Sequence, residues 1–408
     1  MKLSSAAKAL IALTLIIAAG VLHIALNVTD YFGRGSDLRW VNTRRGVSYT
    51  HDASPVFHGF ESPFFFIASR DGVRNVTQQG ENRWHSPLNL RRPIMRGQGQ
   101  YAAVTEGERG RSVHVFNENG LAFTENFDYP VHTFSVNRTG FLSVILQMDD
   151  GYMVKAYHHL SAYRPMFRII LRENDHPGII PVMTEMSNDG RYIAVGFIDF
   201  RNRLQSKVQF LYTYQGDGWG TDGVFAEFIL QDQMLLFMRK TENNRLVVAT
   251  DTQIVVYTRD ANDIIHTTAL IPLHNQITEM AFDENGRFAV ALGTPFLNAP
   301  QAEPPGTVLI FSENGTQIGT HNANRRVTHL SMGHDALIVG CERNFVAITL
   351  TGDFLWEYVA LQDTHDFFFL ENNNTVLIAG ATRAETWRRQ RPRDGEEADF
   401  FGILGQEQ

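Results

Sequence analysis

Residues 277–293 read ITEMAFDENGRFAVALG, which is an alternating apolar run, a polar turn and a second, almost continuous apolar run. The alternation predicts a half-buried strand and the second run predicts a fully buried one. The turn, Asp283 to Gly286, predicts a tight hairpin because Asn, Asp and Gly tolerate the positive φ that such turns require. A shorter version of the same phrase, MTEMSNDGRYIAVGF, begins at Met183.

This hairpin phrase recurs along the chain at intervals of roughly forty to fifty residues, with further copies beginning at Val131, Leu235, Val327 and His365. A second hairpin phrase follows most copies, as in VLIFSENGTQIGT from Val308. Two hairpins in each repeat give four strands. Four-stranded antiparallel units repeated at this interval are typical of a β-propeller, in which neighbouring blades cover both faces of each sheet. The sequence therefore predicts an all-β fold.

The number of blades depends on how the ring closes. We assign the propeller to residues 51–392, where the final stretch supplies only two or three strands. Residues 38–50, LRWVNTRRGVSYT, could donate the missing outer strand. This arrangement gives eight four-stranded blades, and seven blades is the alternative.

The beginning of the chain contains a candidate membrane segment. Residues 9–28 are strongly apolar and carry no formal charge apart from His23, and Lys2 and Lys8 precede them. At 1.5 Å per residue, twenty residues are long enough to cross the hydrocarbon layer of a bilayer. We expect an uncleaved signal anchor, with a cleavable signal peptide as the alternative because small residues occupy 18–20.

The anchor divides the rest of the chain into segments. Residues 1–8 would form a short cytoplasmic segment, and residues 29–50 a linker that includes the possible ring-closing strand. Residues 393–408 would form a C-terminal tail. A short cationic segment before a single apolar helix usually stays in the cytoplasm, which would place the propeller on the opposite side of the membrane.

Composition excludes some classes of function. The formal charge of −8 argues against a nucleic-acid partner, because nucleic-acid binders usually present a basic face. Cys341 is the single cysteine, so no internal disulfide and no CxxC motif can form. Walker, GxSxG and HExxH motifs are also absent from the sequence. We therefore expect neither a metal nor a cofactor, and no catalytic residue can be assigned.

Four residues are candidates for a binding site. Glu185 and Glu279 occupy the same place in the repeated TEM phrase. If both lie on innermost strands, they could face an axial pocket and bind a cation or a basic ligand; hydrogen bonding to neighbouring strands is the alternative. Trp219 and Phe296 lie in a glycine-rich loop and a proline-rich insertion, where binding residues often occur.

Residues 62–84, SPFFFIASRDGVRNVTQQGENRW, and 113–123, VHVFNENGLAF, resemble the repeats of quinoprotein-like (PQQ-like) and WD40-like bacterial propellers. With the preceding apolar segment, the whole chain resembles membrane-anchored bacterial β-propellers of uncharacterised function. The chain lacks the adjacent cysteine pair of quinone-using dehydrogenases and the Gly-His and Trp-Asp signatures of WD40 blades. The resemblance implies a bacterial cytoplasmic membrane protein whose propeller lies on the extracytoplasmic side.

These observations lead to one main functional hypothesis and two alternatives. The main hypothesis is a membrane-tethered scaffold that binds envelope or membrane proteins, without enzymatic activity. The alternatives are a propeller enzyme, either a hydrolase or lyase or a divergent quinoprotein, and a ligand-sensing ectodomain. Both alternatives would use a site at the central channel, which residues distant in sequence could assemble without a linear motif.

Overall fold

The computed structural model describes residues 39–49, 55–59, 64–107, 109–158, 166–201, 203–213, 223–241, 245–297, 302–360, 364–370, 375–380 and 382–390. The chain divides into two units, Thr43–Thr386 and a second unit composed of Met1–Asn42 with Trp387–Gln408. The predicted anchor, residues 9–28, lies outside the described residues. Within the described part of the chain, no helix has the length and apolar character needed to span a membrane.

The described residues form eight four-stranded sheets, which we call blades. Blade 1 consists of β2 (Val56–Gly59), β3 (Phe64–Ser69), β4 (Gly72–Thr77) and β5 (Asn82–Pro87), and blade 2 consists of β6 (Pro93–Gln98), β7 (Tyr101–Glu106), β8 (Ser112–Asn117) and β9 (Gly120–Asn126). Blade 3 consists of β10 (Val131–Val136), β11 (Leu142–Met148), β12 (Gly151–Tyr157) and β13 (Phe167–Arg172), and blade 4 consists of β14 (Ile179–Met186), β15 (Tyr192–Asp199), β16 (Gln205–Tyr212) and β17 (Val224–Gln231).

Blades 5 to 8 follow the same plan. Blade 5 consists of β18 (Leu235–Lys240), β19 (Arg245–Thr250), β20 (Gln253–Arg259) and β21 (Ile265–Pro272), and blade 6 consists of β22 (Asn275–Phe282), β23 (Phe288–Pro295), β24 (Thr307–Phe311) and β25 (Gln317–Asn322). Blade 7 consists of β26 (His329–Met332), β27 (Ala336–Cys341), β28 (Asn344–Thr349) and β29 (Phe354–Val359), and blade 8 consists of β30 (Thr364–Leu370), β31 (Thr375–Gly380), β32 (Arg383–Gln390) and β1 (Arg39–Ser48). The prediction of an all-β propeller with eight four-stranded blades is confirmed.

Blade 8 is the only sheet among the described residues that combines strands from distant parts of the chain. Its order is β1-β32-β31-β30, so a strand from the beginning of the chain occupies the outer edge of the last blade. Val47 of β1 packs in one apolar cluster with Phe57 of blade 1 and Ala384 of β32. The first and last blades are thereby joined, and the ring is closed.

Burial changes in a regular way across each blade. First strands of neighbouring blades lie beside one another around a central channel. Second strands are the most buried, and every residue of β3 and β27 is buried. Outer strands such as β5 and β25 alternate exposed and partly buried residues. This gradient follows from the ring, because adjacent blades cover both faces of a second strand, whereas an outer strand lies at the rim.

Apolar side chains join the neighbouring blades. Seven clusters in the described part of the chain each combine residues of two adjacent blades. Between blades 7 and 8, the rings of Phe345 and Phe367 stack with centroids 4.5 Å apart. Phe is abundant in the sequence, and its flat rings can fill the interfaces between neighbouring sheets in this way.

The hairpins between first and second strands form as the repeat predicts. Gly140, Gly190 and Gly286 occupy equivalent turn positions with φ of 85°, 70° and 85°. Such values favour glycine because it has no Cβ. The Asn137 side chain accepts hydrogen bonds within its own turn and donates to Ser187 O in the next blade at 2.8 Å, so this turn also joins two blades.

Candidate functional site

Two hydrogen bonds cross the central channel between blades 2 and 5. Arg239 Nη2 donates to Gly97 O at 2.9 Å, and Gln98 Nε2 donates to Lys240 O at 3.0 Å. Blades 3 and 4 lie between these two strands along the ring, so the bonds connect the first strands of blades that are not neighbours. They narrow the channel near its hairpin end, which is the end that carries the turns between first and second strands.

Glu185 belongs to this cross-channel cluster. Its carboxylate is 5% exposed, and Oε2 accepts a hydrogen bond from Lys240 N at 3.4 Å. Burial raises the pKa of Glu185, while the charges of Arg239 and Arg96 and a hydrogen bond from Ser135 oppose that shift. First strands of four successive blades therefore contribute to one polar cluster inside the channel.

Arg96 is surrounded by protein but still reaches solvent. Its side chain is exposed, yet burial lowers its pKa, and the nearby charge of Arg239 adds to that effect. Both properties are expected of a side chain that lines an open channel. Its guanidinium carbon lies 5.8 Å from the centroid of the Phe134 ring in the neighbouring blade, within the range of a weak cation–π contact.

A cavity of about 280 Å³ opens at the hairpin end of the channel. Its polar wall comes from blades 1, 2, 3 and 5 and includes His58, Gln98, Arg138 and Arg239. Its other wall comes from blades 6, 7 and 8 and is mainly apolar, with Phe282, Leu330, Met332 and Phe368. The cavity therefore has two chemically different sides, as small-molecule sites commonly do.

His58 is a neutral member of the polar wall. Burial, and then the charge of Arg239, lowers its pKa to about 4. The ring stacks on Phe66 at 6.3 Å, and Nε2 lies 3.4 Å from Gly99 O. A Cβ atom at Gly97 would lie 2.3 Å from this imidazole, so glycine is needed there for the two strands to approach.

Glu279 has different surroundings from Glu185. It is half-buried, burial raises its pKa, and its charged neighbours are His329 and Arg326. The two glutamates also differ in register: Glu185 lies two residues before the turn residue Ser187, whereas Glu279 lies four residues before Asp283. Neither lines the 280 Å³ cavity. Joint binding of one cation or basic ligand stays a prediction.

The two loop candidates lie in different parts of the chain. Trp219 lies within residues 214–222, outside the described residues. Phe296 directly follows β23, is partly buried, and donates from its backbone N to His274 O at 2.8 Å. The next residue, Leu297, is 93% exposed. Phe296 thus packs at the base of the insertion while its neighbour faces solvent.

Exposed apolar side chains mark the loop end of the propeller, opposite the hairpin end. We call this group the apolar loop row, and its members are Phe200, Leu204, Met234 and Leu297, with exposures of 55%, 36%, 38% and 93%. Phe200 and Leu204 lie in the loop after β15, and Met234 lies in the loop that joins β17 to β18. Leu297 lies in the loop after β23, and all these second and fourth strands end at this side of the ring. None of the four was a candidate from the sequence: Phe200 and Leu204 are isolated apolar residues in a polar turn, Met234 reads as the start of the apolar strand that follows it, and only Phe296, the neighbour of Leu297, was singled out.

Metal-binding and thiol chemistry find little support in the described part of the chain. No group of three His, Cys, Asp or Glu side chains there could hold a metal ion. Cys341 is buried, and burial raises the pKa of its thiol. A raised pKa keeps the thiol protonated and weakly nucleophilic at neutral pH.

The fold and the channel cavity define an eight-bladed β-propeller with one two-sided cavity at the hairpin end of its channel. The chain belongs to the family of unknown function DUF5711, whose profile matches residues 62–388. No curated protein shows significant similarity to the sequence.

Solved propeller structures are similar to this chain at low sequence identity. The C-terminal WD40 domain of Sif2 matches 87% of this chain and 99% of its own length, with 11% identity and a TM-score of 0.53. BamB from Moraxella catarrhalis matches 86% of this chain and 99% of its own length, with 12% identity and a TM-score of 0.48. The similarity to the Sif2 domain supports the β-propeller fold and nothing further.

Proposed function

We propose that the protein is a non-enzymatic, membrane-tethered scaffold that docks another envelope or membrane protein on the apolar loop row. Residues 9–28 would anchor it in the bacterial cytoplasmic membrane, with the propeller on the extracytoplasmic side. The observation that carries the proposal is the presence of exposed apolar side chains on two loops of blade 4 and one loop of blade 6, all at the same end of the ring. Contiguous exposed apolar patches are typical of interaction surfaces.

Hydrogen bonds hold described residues of the two blade 4 loops in place. Asp199 accepts hydrogen bonds from the side chains of Arg201 and Gln205, which closes the turn that carries Phe200 and Leu204. Next to it, Ser206 Oγ donates to Gln233 O at 2.9 Å, immediately before Met234. Pre-ordered loops lose little conformational entropy when a partner binds.

The partner surface should be apolar at its centre and polar at its edge. Arg201 and Asp232 lie in the same loops as the exposed apolar residues, and Asp251 accepts a hydrogen bond from Met234 N at 2.9 Å, so charged groups border the row. An apolar centre with a polar rim is the common arrangement of protein interfaces. We therefore expect a partner with exposed aliphatic or aromatic residues bordered by both signs of charge.

Photo-crosslinking in native membranes tests this proposal. A photoreactive residue at Leu204 should give one dominant crosslinked protein, whereas the same residue at Phe354 serves as the matched control. Phe354 is 62% exposed but lies on the outer strand of blade 7. The double variant F200S/M234S should abolish the Leu204 product. Equal products from both positions, or none from Leu204, would argue against docking at this surface.

The anchor requires a separate measurement. Full-length protein should stay in the membrane fraction after alkaline carbonate extraction, and a variant without residues 9–28 should be released. Protease added outside intact spheroplasts should digest the propeller only if it is extracytoplasmic. Digestion only after lysis would place it in the cytoplasm instead.

A second candidate function is ligand sensing at the channel. The 280 Å³ cavity at the hairpin end favours it, because its polar and apolar walls suit a small molecule. This role is compatible with a scaffold, since the two surfaces lie at opposite ends of the ring.

A further inference from the structure

Two arginines in the channel leave most of their hydrogen-bond donors unused. Among the described residues, Arg239 makes a single hydrogen bond, from Nη2 to Gly97 O, and Arg96 makes none. A guanidinium carries five N–H donors. Arg239 lines the 280 Å³ cavity directly, so unused donors lie where a ligand could reach them.

The polar side of the channel also has an excess of positive charge. Arg239 lies close enough to Arg96 for its charge to lower the pKa of Arg96, and the single carboxylate of Glu185 offsets only one of the two cations. Arg138 adds a further cation to the cavity wall. A bound anion would satisfy donors and reduce the repulsion between the cations.

Two acidic groups also line the cavity, but one of them is already neutralised. Arg287 Nε donates to Asp283 Oδ2 at 2.6 Å. Glu284 is the remaining acidic side chain of the cavity wall, and it belongs to blade 6 on the mainly apolar side. Arg96, Arg138 and Arg239 outnumber Glu185 and Glu284, so this end of the channel keeps a net positive charge.

The apolar side limits what kind of anion fits. Phe282, Leu330, Met332 and Phe368 would exclude water from the body of a ligand whose charged end contacts Arg239. Fully hydrated inorganic anions would gain nothing from this wall. A volume of about 280 Å³ is at the lower end of the range for small-molecule pockets, which suits a compact molecule.

We propose that the hairpin end of the channel binds a small organic carboxylate with an apolar body, the carboxylate on Arg239 and the body on the wall of blades 6 to 8. The same chemistry is offered by a free carboxylic acid and by the C-terminal carboxylate of a protein that ends in an apolar residue. This site is independent of docking at the apolar loop row, which lies at the other end of the channel.

Isothermal titration calorimetry with the full-length chain in lipid nanodiscs tests the proposal, with 3-phenylpropionate as the probe. We expect one site per chain, and 3-phenylpropanol, which lacks the charge, should bind at least 10-fold more weakly. Empty nanodiscs measure partitioning of both probes into lipid. Absence of binding by the carboxylate, or equal affinity of the alcohol, would overturn the proposal.

Variants locate the site. R239Q should weaken binding of 3-phenylpropionate about 10-fold or more, and R96Q, which breaks no hydrogen bond of the described residues, should weaken it by a smaller factor through lost charge. R172Q is the matched control, because Arg172 is an exposed arginine paired with Asp150 on an outer strand. Urea unfolding verifies that each variant is folded. Unchanged affinity in folded R239Q and R96Q would refute the site.

A peptide distinguishes the two sources of the carboxylate. A tetrapeptide ending in phenylalanine is compared with its C-terminal amide. Tighter binding of the free peptide than of 3-phenylpropionate would identify a protein C-terminus as the ligand, and weaker binding would identify a free carboxylic acid. Both results support carboxylate recognition, whereas equal affinity of free peptide and amide would contradict it.

Discussion

The Lys240 ammonium lies over the face of the Tyr192 ring, with Nζ 5.4 Å from the ring centroid. Arg259 contacts the same ring at 4.8 Å, so two buried cations share one aromatic residue between blades 4 and 5. Nζ has no hydrogen-bond partner among the described residues. Burial lowers the pKa of Lys240 to about 7, although the carboxylate of Asp189 partly opposes the shift.

The first prediction concerns the pH dependence of stability. Between pH 7 and the ordinary lysine pKa of 10.5, the unfolded chain binds this proton more tightly than the folded protein. The free energy of unfolding should therefore rise with pH in this window, and K240M should remove that contribution. Urea unfolding at pH 6 to 9.5 should show the largest gain in stability for K240M at low pH.

Lys207 provides the control for this prediction, because it forms an ion pair with Glu227 at 3.4 Å near the rim. K207M should shift the stability curve nearly evenly across the same pH range. If the curves of K240M and the natural protein run parallel, the buried lysine does not titrate as described.

The second prediction concerns ring closure at Gly59. A Cβ atom there would lie 1.9 Å from Cε2 of Phe368, so the first strands of blades 1 and 8 can approach only with glycine at this position. G59A should destabilise the protein by about 1–3 kcal/mol, as overpacked cores do. Chemical unfolding followed by circular dichroism measures the change. F368L should recover part of the loss in the double variant, and no recovery would contradict a local clash.

The third prediction concerns the interface between blades 7 and 8. Phe367 is fully buried, stacks on Phe345 at 4.5 Å and contacts Trp356 at 6.1 Å. F367A should cost about 3–5 kcal/mol because it leaves a cavity, and F367L should cost less. The exposed Phe354 is the control, and F354A should change the free energy of unfolding by less than about 0.5 kcal/mol. Similar losses for F367A and F354A would contradict this account.

The fourth prediction concerns the turn beside the apolar loop row. Asp199 is 2% exposed and accepts hydrogen bonds from Arg201 and Gln205, which hold its pKa well below the usual range. The stabilisation is present above the unfolded pKa of 3.8 and is lost as pH falls below it. D199N should cost about 1.5–3 kcal/mol at pH 7, because the bonds involve charged groups.

Acid titration of D199N against the natural protein measures this contribution. The stability difference should be constant from pH 5 to 7 and should shrink below pH 4. A difference that persists unchanged at pH 3 would show that the charge of Asp199 does not stabilise the turn.

Local patterns were sufficient to predict the propeller, because each blade repeats the same hairpin chemistry. The glycines at 140, 190 and 286 occupy the turns that the repeated phrase predicted.

The channel was harder to predict. Arg239 and Gly97 are 142 residues apart, and neither belongs to a motif. The repeated TEM phrase suggested equivalent glutamates, but two more residues separate Glu279 from its turn glycine than separate Glu185 from its own, and the strand pairing follows the turn instead of the phrase.

The mixed origin of blade 8 has a consequence for biosynthesis. β1 leaves the ribosome first, but the strands that it completes, β30 to β32, are made last. Seven sheets can assemble in order while translation proceeds, yet β1 has no partner until the chain has been extended to residue 390. Throughout that period, the unpaired edge of β1 requires protection from association with other nascent chains.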